Sequence, residues 1–118
     1  MRSFTEFVME GSFSEDIKKA VWLKGKIATT VQNRESSSSR FDVVGAIMYE
    51  EEYGNRNSEF GWEIDHIDNK RENNDISNLR PLFWKNNTAR NQKKEYEFYA
   101  FDEKKQDNSR IVTRNRDI

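Results

Sequence analysis

The stretch WEIDHID, Trp62 to Asp68, alternates apolar and polar side chains as a half-buried strand does. Its polar positions carry Glu63 and Asp65, and one step off the alternation stands His66, the only histidine of the chain. An acid thus sits beside the one side chain whose ordinary pKa lies near neutrality. Working outward, Phe60 to Asp68 reads as a strand and Asn69 to Asn78 as a polar loop with the turn-prone pair Asn73-Asn74. Leu79 to Trp84 reads as a second short strand, which Pro81 confines to an edge or a strand start. Lys85 to about Tyr96 is helix-compatible. The middle of the chain is therefore strand, loop, strand, helix, with Asp65 and His66 at the end of the first strand.

On the N-terminal side, residues 1–13 bring Phe4, Phe7, Val8, Met9 and Phe13, suited to a short arm or helix. Ser14 followed by Glu15 and Asp16 has the form of a helix N-cap with acids in the first turn. Ile17, Ala20, Val21, Lys24 and Ile27 continue a helical face to about Thr30, weakened by Gly25. Asn33 to Arg40, with its four serines, reads as a loop. Phe41 to Tyr49, broken by Gly45, reads as a short strand leading into a turn, and Glu50 to Ser58 as polar, with a turn at Gly54-Asn55. The tail has two β-like runs, Tyr96 to Phe101 and Ile111 to Thr113, compatible with a hairpin or a frayed end.

The length, 118 residues, predicts a single domain over 1–118. Hydrophobic residues make up 34% and charged residues 35%, with eight Phe, four Tyr and three Trp, so a small core of large rings in a polar shell is expected. The absence of cysteine excludes disulfides and Cys-ligated zinc. No apolar run approaches a membrane span, and the start of the chain has no apolar signal core, so the expectation is a soluble, cytoplasmic protein without membrane contact. A net charge of −1 leaves nucleic-acid binding to local basic clusters.

Three segments in order, GWEIDHI (61–67), DISNLRPL (75–82) and WKNNTAR (84–90), resemble the HNH endonucleases, the ββα-metal finger family, in particular its small stand-alone bacterial and phage type. The resemblance implies a ββα-metal core at 60–95; with the N-terminal helical and loop extension and the hairpin or frayed tail read above, the expected class is α+β. The resemblance also implies an enzyme that hydrolyses DNA phosphodiester bonds. That reaction needs an activated water, charge neutralisation at the phosphate and help for the departing 3′-oxygen.

By resemblance, His66 is the general base, and Asn78 holds its ring in the working tautomer. Asp65 and Asn87 are the protein ligands of one Mg²⁺ per site, or Mn²⁺ or another divalent cation. Asn86, next door, is the alternative ligand. Arg90, Lys93, Lys94 and Arg80 would contact DNA, with Lys70 and Arg71 lining the groove, and Glu63 would support the site from behind. With no zinc cysteines, packing of Phe60, Trp62, Leu79, Leu82, Phe83 and Trp84 must hold the finger. The partner implied is DNA; a homodimer or a protein partner is left open. The competing expectation is a catalytically inactive HNH-like module that binds DNA or another protein.

Overall fold

The computed structural model describes residues 13–32, 34–35, 38–91, 97–115 and 118. The expected arm at 1–12 and the C-terminal part of the second helix, with Lys93 and Lys94, lie outside the described residues. Helix α1 spans Glu15–Trp22, followed by strands β1 (Lys26–Ile27), β2 (Ser39–Phe41), β3 (Ile47–Tyr49), β4 (Trp62–His66) and β5 (Leu79–Phe83). Helix α2 (Trp84–Asn91) and strands β6 (Glu97–Asp102) and β7 (Asp107–Thr113) complete the order. The strands form a three-stranded antiparallel sheet β1-β2-β3 and two antiparallel hairpins, β4-β5 and β6-β7. This is a mixed helix-and-sheet fold, compatible with the α+β class.

Helix α1 starts where its cap residue dictates: the Ser14 hydroxyl accepts from the Ile17 N–H at 3.2 Å, with Glu15 and Asp16 in the first turn. It ends at Trp22, well short of the expected Thr30. Gly25 is the reason. A Cβ there would lie 3.0 Å from the Arg40 Cβ and 3.1 Å from the Phe41 carbonyl oxygen, because the chain turns at this point to run beside β2. Ile27, assigned to the helical face by periodicity, is instead a strand residue paired with Arg40. Likewise Ser39 and Arg40 belong to β2 rather than to the loop. The Arg34 guanidinium bonds the Ser39 hydroxyl at 3.0 Å and the Ser38 carbonyl at 3.0 Å, which draws the end of the serine run into the sheet.

The main core lies between α1 and the β4-β5 hairpin, where Val21, Trp22, Met48, Trp62, Leu79 and Phe83 are buried together. The Trp22 and Trp62 rings stand 5.2 Å apart, and Tyr53 meets Trp62 edge-on at 4.9 Å. Of the six residues expected to hold the finger, Trp62, Leu79, Leu82 and Phe83 are buried, while Phe60 and Trp84 are partly so. Trp84 opens α2 instead of closing β5, and its indole N–H donates to the Ser58 carbonyl at 2.8 Å. Pro81 pairs with Ile64 in a two-stranded sheet, the edge position its missing N–H requires.

Two buried polar side chains tie the sheets together. One oxygen of Asp42 accepts from the backbone N–H groups of Val44, Gly45 and Ala46, closing the β2-β3 turn where Gly45 adopts φ +110°. The other accepts from the Phe83 N–H and the Asn86 side-chain amide, both at 3.0 Å. Burial pushes the Asp42 carboxyl above the usual aspartate value, and these donors pull against it. Asn86, fully buried, also accepts from the Tyr99 N–H at 2.7 Å and donates to the Tyr99 carbonyl at 2.9 Å, so it pairs with β6 as a strand residue would. Replacing Asn86 by Ala removes the partner of the buried Asp42 carboxylate and of the half-buried Tyr99 N–H and carbonyl. We expect Asn86→Ala to lose about 3 kcal/mol of stability in urea unfolding; a loss below about 1 kcal/mol would mean the amide is not the tie between α2 and β6.

Candidate functional site

Strand β4 ends at His66, and the loop back to β5 is built by side chains more than by backbone. Asp68 is the hub. Its oxygens accept from the Lys70 N–H and the Asn73 side-chain amide, both at 2.8 Å, and from the Asn78 amide at 3.0 Å. These donors, Asn73 foremost, hold the Asp68 carboxyl below the usual aspartate value. Asn78 is buried and works from the other end of the loop: its side chain accepts from the Asp68 N–H at 3.1 Å and donates to the Asn73 carbonyl at 2.9 Å. Lys24, just past α1, donates to the carbonyls of Ile76 and Leu79 and pins the loop exit.

The two faces of β4 part company, as adjacent residues on a strand must. The half-buried His66 ring turns to the loop, where its Nε2 lies 2.8 Å from the Asn74 Oδ1; the Phe13 ring lies 6.2 Å away. Glu63 and Asp65 turn to α2. Asp65, 3% exposed, receives Arg80 Nε on Oδ2 at 2.8 Å and Arg90 on Oδ1 at 2.9 Å and Oδ2 at 3.1 Å. Arg90 also donates to the His66 carbonyl at 3.2 Å and the Ile67 carbonyl at 2.6 Å. The helix therefore grips the end of β4 from behind, at the residue that carries the imidazole.

One turn earlier on α2, the Asn87 amide donates to Glu63 Oε1 at 2.8 Å. Arg56 closes on the same carboxylate with Nε at 2.6 Å and its second nitrogen at 2.9 Å. The Asn87 oxygen is met by the Asn91 amide at 3.3 Å.

Several expected roles need correcting against this geometry. Arg90 is 4% exposed and bonded to Asp65, not presented on a basic helix face for DNA; a guanidinium beside a buried carboxylate is held inward by charge. Arg80 is turned to the same carboxylate. Asn78 makes no hydrogen bond to the His66 ring among the described residues; its amide is consumed by Asp68 and Asn73. Of the two neighbouring amides on α2, Asn86 is committed to Asp42 and Tyr99 on every bond it makes, so Asn87 alone stands at the site. Glu63 accepts a hydrogen bond from the Asn87 amide on α2. Two participants escaped the sequence reading. Asn74 was visible only as half of a turn-prone pair, and Arg56 carried no spacing signal at all.

As they stand, these residues do not fit a bound divalent cation. Both Asp65 oxygens already accept from guanidinium groups, Asn87 directs its N–H₂ at Glu63, and no cluster of three or more His, Cys, Asp or Glu suited to a metal occurs among the described residues.

Residues 45–83 match the family model of HNH endonuclease. The match takes in β3, β4, the loop and β5, with Asp65, His66 and Asn78, and covers about a third of the chain; α2, with Asn87 and Arg90, lies beyond it. The resemblance to HNH endonucleases holds over that segment and supports a nuclease-type function. No curated protein and no solved structure gives a significant match to the chain. No helix among the described residues is long and apolar enough to cross a membrane.

Two outcomes follow from the charges around Asp65. Arg90→Ala removes a buried partner and should cost about 3–5 kcal/mol in thermal or urea unfolding, the penalty for stranding one charge of a buried pair; a loss under about 1 kcal/mol would contradict the burial of this pair. Calorimetric titration of the free protein with Mn²⁺ should give no binding tighter than the millimolar range, since Asp65 is already compensated. Micromolar binding would mean the guanidinium groups yield readily.

Proposed function

We propose that the chain is an HNH-type endonuclease that hydrolyses phosphodiester bonds of DNA, with His66 as the general base. The observation that carries this reading is the HNH endonuclease match over the strand–loop–strand that delivers His66. The ring sits at a strand end, half-buried, beside a loop locked by Asp68 and Asn78. A neutral imidazole there takes a proton from water, the resulting hydroxide attacks phosphorus, and the bond to the 3′-oxygen breaks. Lys70 and Arg71 lie on the same loop in sequence and are our candidates for contacts to phosphate oxygens. Lys93 and Lys94 follow α2 in sequence and remain our candidates for further backbone contacts.

Asp65 and Asn87, the ligand pair that the family resemblance suggests for Mg²⁺ or Mn²⁺, are here engaged with Arg80, Arg90 and Glu63. That observation favours a second reading, in which the same fold is a catalytically silent module that binds DNA or a protein. The two readings separate in one experiment. Supercoiled plasmid is incubated with the protein in Mg²⁺ or Mn²⁺, and nicking is followed on a gel. We expect wild type to nick and His66→Ala to be slower by about 100-fold or more, with an unchanged melting temperature and retained DNA mobility shift at low salt. Equal nicking by both proteins would remove His66 from the chemistry, and no nicking by wild type with a clear DNA shift would establish the silent module.

A further inference from the structure

We propose that Asn74 is the positioning residue that fixes the tautomer of His66, a role that rests on the general-base reading of that ring. The contact is specific in its atoms. The Asn74 atom facing Nε2 is the carboxamide oxygen, at 2.8 Å. An oxygen acceptor requires the proton of the neutral ring to sit on Nε2, which leaves the lone pair on Nδ1. Among the described residues the ring's hydrogen bond is made by Nε2, which leaves Nδ1 as the basic nitrogen.

The loop holds Asn74 in place by the peptide that precedes it. Asn78 donates to the Asn73 carbonyl at 2.9 Å, and the Asn73 side chain is tied to Asp68 at 2.8 Å. Asn78 thus acts on the imidazole at one remove: through the Asn73–Asn74 peptide to the Asn74 amide, and from there to the ring. A turn-forming role for Asn74 does not account for its side chain. The turn bonds at this point are made by Asn73, whose oxygen accepts from the Asp75 N–H at 3.3 Å, and by Asp75, which accepts from Ser77. The Asn74 carboxamide spends its oxygen on His66 instead.

The choice of residue has a chemical consequence. A carboxamide carries no charge, so it orients the ring by the hydrogen bond alone. With the proton on Nε2, Nδ1 can accept the proton of the attacking water, with the hydroxide forming the new bond to phosphorus as the bond to the 3′-oxygen breaks. The departing oxygen takes its proton from solvent.

Because His66 is the only histidine, its ring nitrogens give unambiguous signals in the full-length protein labelled with ¹⁵N-histidine. At a pH where the ring is neutral, wild type should show the Nε2–H tautomer in excess by about tenfold, and Asn74→Ala should cut that ratio several-fold. Asn74→Asp, which keeps an oxygen at the same place, should restore it. On supercoiled plasmid with Mg²⁺ or Mn²⁺, Asn74→Ala should lower kcat by about tenfold while KM stays within about twofold. A predominant Nδ1–H tautomer in wild type, or the same ratio in Asn74→Ala, overturns the proposal whatever the rates. If wild type does not nick DNA, the general-base reading fails, and the ring signals still decide whether Asn74 sets the tautomer.

Discussion

The carboxylate of Asp42 is the constraint from which the rest of the arrangement follows. It is buried where three structural units meet, and its two oxygens take five hydrogen bonds. Three come from its own turn and fold β2 back onto β3. Two come from Phe83 and Asn86, the last residue of β5 and the third of α2. A lone buried carboxylate would be costly, and here that cost is offset only when the turn, the strand end and the helix start are all in place. The direction in which α2 leaves β5 is set at this point. That direction decides which residues of the helix reach β4, and Asn87 and Arg90 are the ones that do.

A second buried carboxylate, Asp65, does a different job. It stands opposite two guanidinium groups, so the interior beside β4 holds one more positive charge than negative among these three side chains. The surplus is spread over backbone carbonyls: Arg90 donates to His66 and Ile67, and Arg80 to the Ile118 carbonyl. Arg90 thereby engages the carbonyls of the last residue of β4 and the one after it, and fixes the strand end against the helix. Electrostatics that keep Arg90 inward also keep it from a DNA backbone.

Much of this fold was legible because it depends on alternation and punctuation. Trp62–His66 and Leu79–Phe83 form paired strands inside the longer stretches that their patterns mark, the Ser14 cap starts α1, and the two β-like runs of the tail lie in a hairpin. The helix that overran to Thr30 failed because periodicity cannot register that a glycine is needed where β1 crosses close to Arg40. The partners of the candidate site residues were not legible in the sequence. Asn78 is buried, and Asp68, unremarked within the motif, is its main partner. That an amide acts on a loop rather than on a ring depends on where the loop folds, which spacing does not encode. The same holds for Arg90: three residues after Asn87 places it on the same helical face, but whether that face meets solvent or Asp65 is set by the Asp42 knot far away in sequence.

The division of β4 into two polar faces has a physical logic of its own. Carboxylates at 63 and 65 sit on the side that α2 covers, where leaving them without partners would cost far more than a surface charge, and each has a guanidinium within 3 Å. The imidazole at 66 sits on the other side, half-buried, held by a neutral amide. A ring placed among the carboxylates would be drawn towards its cationic form and lose the lone pair that a base needs. One placed fully in solvent would rotate freely. Alternation along five residues of strand separates the charges that hold the structure from the neutral group that could act on a substrate, and it does so with Asp65 and His66 adjacent in the chain.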